Sequence, residues 1–292
     1  FLGMKLFSGK TAVITGGASG IGLALANAAA DRQMNVVLAD IEEAALSQAV
    51  QHFEARQCPA IGVITDTRQK TAIQNLLAEA TEKFGNIHLL FNNAGVVNYG
   101  GGTPIWDLPD ADWSWVMGVN FFGVLNGVQT FVPHMIAHGE EGHVVNTASI
   151  AAFIPGGGPY GVSKYGVVTL SEALAQDLET TGSNIKASVL CPGWVNTKIG
   201  DAERNRPGDL PSEVNPSGQG LGIGDLLAES KSPEELAAQV FDAVENDRFY
   251  IFPHTGWDYM LRAHTDAMLA REGVYQFNLQ NHVATRSDGK EI

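Results

Sequence analysis

Short apolar and β-branched runs alternate along the chain with longer stretches whose apolar positions recur at helical spacing. The runs predict strands at Thr11–Thr15, Asn35–Asp40, Ala60–Asp66, Ile87–Asn92, Gly142–Ala148, Ile185–Leu190 and Arg248–Phe252. Helical patterns fall near 21–33, 42–56, 67–84, 110–137, 160–180, 233–246 and 256–272. Strand sequences such as VVLA and HLLF are apolar without alternation, as needed when helices cover both faces of a sheet. Regular strand–helix alternation predicts right-handed βαβ units and an α/β fold with a doubly wound parallel sheet. Ligands of such a sheet bind at the carboxyl ends of its strands. One stretch, residues 200–232, has no period and is rich in Gly, Pro, Ser, Asn and Asp. It predicts a loop or a partly helical lid, and lies late in the sheet. The expected organisation is a single domain over 4–275, a lid near 198–232, and a polar, loosely ordered tail at 276–292.

Composition narrows the function. The chain has 292 residues, 45% of them apolar, so one large core can form. The net charge is −14, with 18 basic residues. Such a chain offers no phosphate-binding surface to nucleic acid and disfavours a polyanionic substrate. The two cysteines, Cys58 and Cys191, lie far apart and outside any metal-ligand spacing, which points to a reducing compartment and to no structural metal. No apolar run reaches the ~20 residues of a membrane span. A cytoplasmic protein without a membrane partner is expected.

The strand ends carry the candidate chemistry. Residues 15–22, TGGASGIG, follow the first strand. Gly16 permits a sharp turn; Gly20 and Gly22 let backbone approach a diphosphate and let the helix pack on the strand. Together with Ser19 and Ile21 they present the free N–H groups and positive dipole end of a helix N-terminus. The second strand ends at Asp40, about twenty residues further on, where a carboxylate can bind both ribose hydroxyls of an adenosine. No Lys or Arg lies in the turn or directly after Asp40, so NAD is expected rather than NADP. Asp40 also suits the cap of the helix beginning at Glu42. Asp66 and Thr67 follow the third strand, with Asp66 a candidate for the adenine amino group or for a second cap. NNAG, residues 92–95, brings Asn93, Ala94 and Gly95 to the fourth strand's end, where asparagine amides can tie neighbouring strands together.

Beyond the fifth strand, Tyr160 and Lys164 are four residues apart and share one helix face. A tyrosine that acts as a base near neutrality must fall about 2–3 pH units from its usual pKa of ~10. A neighbouring ammonium pushes in that direction.

The ordered series TGGASGIG, Asp40, NNAG, Asn120, Ser149, Tyr160–Lys164 and CPGWVNT at 191–197 resembles the short-chain dehydrogenase/reductase family over roughly residues 8–255. The resemblance implies a Rossmann-type, seven-stranded parallel sheet and nicotinamide-dependent hydride transfer between alcohol and carbonyl. It implies that Tyr160 is the general acid/base and that Lys164 lowers its pKa and binds the nicotinamide ribose. Ser149 would hold the substrate oxygen, and Asn120 a water linking Lys164 to solvent. Pro192, Gly193, Val195 and Thr197 would bracket the nicotinamide. A finer likeness, in WVMGVNFFGVLNGVQTFVPHMIAHGEEGHVVNTAS and YGVSKYGVVTLSEAL, is to bacterial NAD-dependent Cα-dehydrogenases of lignin-derived aryl ethers. Those oxidise benzylic secondary alcohols. Phe153, Trp194, Val96, Val97 and Tyr99 would then suit an aromatic pocket, although each could equally be core. The resemblance also implies a homodimer or homotetramer paired through the long helices at 110–137 and 160–180.

The interval from Ser149 to Tyr160 is eleven residues, two short of the family's usual spacing. Thr147 stands at the usual offset and is the alternative to Ser149. Two other functions stay open from sequence: an NADPH-dependent carbonyl reductase, disfavoured by Asp40, and an NAD-binding sensor or scaffold that would not need Tyr160, Lys164 and Asn120.

Overall fold

Strand β1 (Thr11–Thr15) is buried at every position, and its consecutive residues feed opposite cores. Ile14 packs with Leu25, Phe53, Phe91 and Phe241 on one side of the sheet. Val13 packs with Ile73, Leu76, Phe131 and Met135 on the other. Burial on both faces is why the strands read as unbroken apolar runs. The computed structural model describes residues 3–98, 103–211, 230–271, 273–278 and 283–285.

After β1 the chain runs through α1 (Gly20–Asp31), β2 (Asn35–Asp40), α2 (Glu43–Ala55), β3 (Ala60–Ile64), α3 (Lys70–Phe84) and β4 (Leu89–Asn92). It continues with α4 (Asp110–Met117), a π-helical turn (Gly118–Phe122), α5 (Gly123–His138), β5 (Gly142–Thr147), α6 (Gly158–Thr180) and β6 (Ile185–Leu190). A 3₁₀ segment (Lys198–Asn205), α7 (Pro233–Glu245), β7 (Tyr250–Ile251) and α8 (Asp258–Ala270) complete the domain. The strands form one seven-stranded parallel sheet in the order β3-β2-β1-β4-β5-β6-β7. The chain therefore reverses direction across the sheet between β1 and β4, which opens a crevice at the carboxyl ends of those two strands.

Local chemistry sets the boundaries. α7 starts at a capping box, in which Ser232 Oγ accepts from Glu235 N–H and Glu235 Oε2 accepts from Ser232 N–H. α6 carries Pro159 in its first turn, where a missing N–H costs nothing.

Several expectations need correction. The apolar stretch 110–137 is not one α-helix but two segments joined by the π turn around Asn120. Strand β3 stops at Ile64, because Thr65 turns its Oγ1 back to donate to the Val63 carbonyl. Strand β7 is shorter than Arg248–Phe252. The tail contains paired structure: β8 (Gln276–Asn278) lies antiparallel to β9 (Val283–Thr285). Strands of three residues are too short to show a period. In the lid, Lys198–Asn205 is helical, and the part at 212–229 lies outside the described residues.

Candidate active site

A cleft of about 1450 Å³ lies over the β1/β4 crossover. At one end is the glycine turn between β1 and α1. Gly16 and Gly20 have φ of +63° and +50°, the left-handed region that glycine tolerates. Gly22 serves close packing: a Cβ there would lie 2.0 Å from the Gly16 carbonyl oxygen. Gly16, Ser19, Gly20 and Ile21 line the cleft, while Gly22 sits beneath the turn.

Asparagines hold this end together. Asn93 Nδ2 donates to the Thr15 and Gly16 carbonyls, and Thr15 Oγ1 accepts from the N–H groups of Asn93 and Ala94. Asn92 Nδ2 donates to Asn146 Oδ1 at 2.8 Å, joining β4 to β5. The tie between strand ends expected of NNAG is present. Asp40 does two jobs: Oδ2 accepts from Ala18 N–H in the glycine turn and Oδ1 from Glu42 N–H. Burial raises its carboxyl above the usual range, partly offset by these backbone donors.

The fold brings cations to this end that sequence proximity did not reveal. Arg204, from the lid segment, donates to Glu42 Oε1 at 2.7 and 3.1 Å. That bond, opposed by burial, draws the Glu42 carboxyl below its ordinary value. Arg68 grips both oxygens of Asp66, the shortest contact being 2.7 Å. The Asp66 carboxylate is thus engaged by its own neighbour, a reason sequence reading missed because an Asp–x–Arg pair resembles an ordinary turn. Asp66 and Thr67 nonetheless line the cleft.

At the other end, Tyr160 and Lys164 come from the first turns of α6, facing the cleft. Lys164 is 2% exposed; its Nζ donates to the Thr147 carbonyl at 2.9 Å and lies 5.6 Å from the centre of the Tyr160 ring. Burial lowers its pKa to about 8. Ser149 caps a 3₁₀ turn (Ile150–Phe153), with Oγ accepting from Ala151 N–H and pointing its hydroxyl toward the Pro192 carbonyl at 3.4 Å. Thr147 and Ser149 both line the cleft. Thr147 contributes its carbonyl to Lys164, a fixed structural task that Ser149 does not share.

Asn120 is fully buried and does not line the cleft. Its amide clamps Val96 from both sides, accepting from Val96 N–H and donating to Val96 O, and also donates to Ser163 Oγ. A Cβ on Gly95 would lie 3.4 Å from Lys164 Nζ and 3.5 Å from Asn120 Oδ1, so Asn120 adjoins the lysine behind the NNAG segment. The π turn, a frequent mark of functional sites, aims it there.

Ala94, Gly95, Pro192, Gly193, Val195 and Thr197 also line the cleft. The Cys191–Thr197 segment is held by a residue the sequence did not single out. His254 Nδ1 accepts from Gly193 N–H and Nε2 donates to the Trp194 carbonyl. This pattern requires the neutral imidazole, and burial lowers its pKa accordingly. Trp194, Val96 and Val97 line the cleft. Phe153 does not; its ring sits among Tyr165, Phe252 and His264. Tyr99 lies outside the described residues.

Comparison with known proteins agrees with this arrangement. The family model described as short chain dehydrogenase matches residues 10–208. A short chain dehydrogenase/reductase from Burkholderia phymatum, solved in complex with NAD, superposes with TM-score 0.87 at 39% identity, covering 92% of this chain and 98% of that one. A CLA biosynthesis dehydrogenase/reductase from Lactiplantibacillus plantarum is 35% identical over 86% of this chain and 90% of its own. A C alpha-dehydrogenase from Sphingobium sp. is 33% identical over 91% and 87%.

Proposed function

The chain belongs to the short-chain dehydrogenase/reductase family, and from that premise we propose that it oxidises a secondary alcohol to a ketone with NAD. The observation that carries this reading is the convergence of Tyr160, Lys164 and Ser149 on one cleft with the glycine turn and Asp40.

The residues fit a dinucleotide. The turn leaves no room for a Cβ at Gly22 and presents the α1 N-terminus, which attracts phosphate. Asp40 faces the adenosine end with two donors already fixed on it. The nearby Arg204 is neutralised by Glu42, so a 2′-phosphate there meets an uncompensated carboxylate. Both features favour NAD. A nicotinamide bound there would supply the hydride acceptor for the carbinol carbon. Ser149 Oγ, oriented by Ala151 N–H, turns its hydroxyl to the substrate oxygen. Tyr160 takes the hydroxyl proton. Lys164, mostly protonated at pH 7 with a pKa of about 8, favours the phenolate. Asn120 fixes the Val96 backbone, next to Gly95, which lies beside the lysine. Trp194, Val96 and Val97 favour an aryl or other apolar substituent.

Initial rates with NAD and NADP across aryl and aliphatic secondary alcohols test the reading. NAD should be preferred by more than about tenfold, and Tyr160→Phe should lower kcat by at least about a hundredfold. A fully active Tyr160→Phe enzyme overturns the acid/base assignment. NAD binding without turnover of any alcohol favours the sensor reading. Clear superiority of aliphatic alcohols removes the aryl preference. An Asp40→Ala/Ile41→Arg variant should move preference toward NADP.

We also propose a cytoplasmic homo-oligomer paired through α5 and α6. Phe122, from the π turn that leads into α5, is 49% exposed and does not line the cleft, while Val162 and Tyr165 on α6, 47% and 45% exposed, line it. Sedimentation of wild type and Phe122→Glu checks this: the variant should be monomeric.

A further inference from the structure

The loop between Ser149 and Tyr160 is two residues tighter than usual, and a distant part of the chain holds it. The Phe153 carbonyl, four residues after Ser149, accepts two side-chain hydrogen bonds. One comes from Tyr275 Oη at 2.6 Å and one from His264 Nδ1 at 3.0 Å. The Phe153 ring is held by Tyr165, Phe252 and His264, with centroids at 6.0, 6.0 and 6.1 Å. Carbonyl and ring of one loop residue are therefore fixed together. Tyr275 is 3% exposed, and burial pushes its phenol up to about 12, so it remains a donor at any working pH.

The same C-terminal unit grips the segment on the opposite wall of the cleft. His254 bonds Gly193 and Trp194. The Trp257 ring lies on Gly193 so closely that a Cβ there would be 2.7 Å from Cζ3. Trp257, Val274, Tyr275 and Gln276 themselves line the cleft beside Ile154 and Pro155. One unit thus sets the spacing between the Ser149–Tyr160 loop and the Cys191–Thr197 segment, and supplies an apolar wall between them.

Charge adds a second constraint. Among the described residues, the cations lining the cleft are Arg68, Lys164, Lys198 and Arg204. Arg68 is paired with Asp66, Arg204 with Glu42, and Lys198 acts on Glu42 as well. Lys198 follows Thr197 and is exposed, and Lys164 is held by Thr147. None of these four lies on the 150–157 loop or on the residues from His254 to Gln276 that form the wall with Ile154 and Pro155.

We propose that residues 254–276 act as a specificity clamp, with Tyr275 as a positioning residue, selecting a bulky, uncharged, apolar substituent on the carbinol carbon. The proposal deepens, and its substrate part rests on, the alcohol dehydrogenase reading. The step itself is unchanged: the alcohol would give its proton to Tyr160 and its hydride to NAD.

The test compares wild type with Tyr275→Phe, which keeps the ring and removes the donor, and with Tyr275→Phe/His264→Leu, which removes both donors. Substrates are 1-phenylethanol, 2-butanol, 4-(1-hydroxyethyl)benzoate and its methyl ester. Amide exchange over residues 150–157 is measured in parallel. Tyr275→Phe should raise KM for 1-phenylethanol about 5–20-fold, with kcat/KM for 2-butanol within about twofold, since misplacing a positioning group mainly penalises the substrate it orients. Exchange should rise in 150–157 and stay unchanged in the sheet, and more strongly in the double variant. Wild type should prefer the ester over the carboxylate by at least about tenfold, a buried uncompensated charge being costly. Unchanged loop exchange overturns the clamp, as does an equal loss for both simple alcohols. Equal or better use of the carboxylate overturns the uncharged-substrate assignment. If wild type turns over none of the alcohols, the dehydrogenase reading fails and takes the substrate assignment with it. The exchange result then still decides the clamp.

Discussion

Lys164 carries opposite demands of folding and function in one side chain. Its ammonium is buried, and its pKa drops from the ordinary 10.5 to about 8. At about 1.4 kcal/mol per pH unit, that drop corresponds to about 3 kcal/mol of destabilisation while the group is charged. The bond to the Thr147 carbonyl returns about 1 kcal/mol of it. Lys164→Met should therefore stabilise the fold by about 2 kcal/mol at pH 7 while lowering kcat at least a hundredfold. The sign changes with pH in a defined way. Between pH 8 and 10.5 the unfolded chain holds more protons than the folded one, so wild type gains stability as pH rises and the gap to the variant closes. Urea denaturation at pH 7 and 9.5 checks this, and a variant less stable at pH 7 contradicts it. The glycines, Asp40, Tyr160 and Lys164 were legible in sequence because their chemistry depends on residue type and short spacing. Pairings such as Arg204–Glu42 and His254–Gly193 span 162 and 61 positions. No local pattern encodes them. Phe153 was legible as important, but pocket and core stayed open alternatives, since an aromatic residue beside a cleft carries no sign of which way it faces.

At the scale of elements, a buried ion pair among the described residues ties the lid to α4. Arg206 follows the 3₁₀ segment and meets Asp112 of α4 at 2.6 Å, with side chains 6% and 3% exposed. Its guanidinium lies 4.2 Å from the Trp115 ring centre, and it also binds Glu203 and the Leu210 carbonyl. Truncating one partner of a buried pair strands the other charge and costs about 3–5 kcal/mol, whereas apolar replacement of both is often neutral. Arg206→Met should thus destabilise the protein by about 3 kcal/mol and raise proteolysis between 198 and 211. Adding Asp112→Leu should recover at least half. Denaturation of the single and double variants decides it; a double variant no better than the single one refutes the account. The sequence predicted a lid here but not its anchor, for Arg206 lies 94 positions from Asp112. The π turn was equally hidden: GVNFF continues the apolar period on both sides, and only the placement of Asn120 against Val96 shows why one turn widens. The β8–β9 pair was missed because three-residue strands leave no readable alternation.

The whole molecule was the most legible scale, since burial of a parallel sheet on both faces writes itself as apolar runs, and handedness then limits the topology. Less visible was how the sheet handles its histidines. His143 lies within β5 with no exposure. Its Nε2 bonds Ser188 Oγ at 2.7 Å, and among the described residues its Nδ1 has no hydrogen-bond partner. Burial lowers its pKa to about 3, with Lys186 acting in the same direction. Burial also lowers the pKa of His88, His134 and His254. Each is harder to protonate in the folded chain than in the unfolded one, whose histidines take up a proton near pH 6.5. Their contribution is full above about pH 6.5 and is lost as pH falls toward each folded pKa, by up to about 1.4 kcal/mol per histidine per pH unit. Glu140, facing His88, behaves differently. Lys10, Asn86 and His88 hold its carboxyl at about 2, so its contribution is lost only as pH falls from 4.5 toward 2. The window from pH 6.5 to 5 therefore belongs to the histidines, and His143 alone accounts for about 2 kcal/mol of the loss within it. Unfolding free energies at pH 7 and 5 should show wild type losing about 2 kcal/mol more than His143→Leu. Equal losses would mean that His143 is protonated within the folded sheet, where the buried Nδ1 finds no acceptor for the added proton.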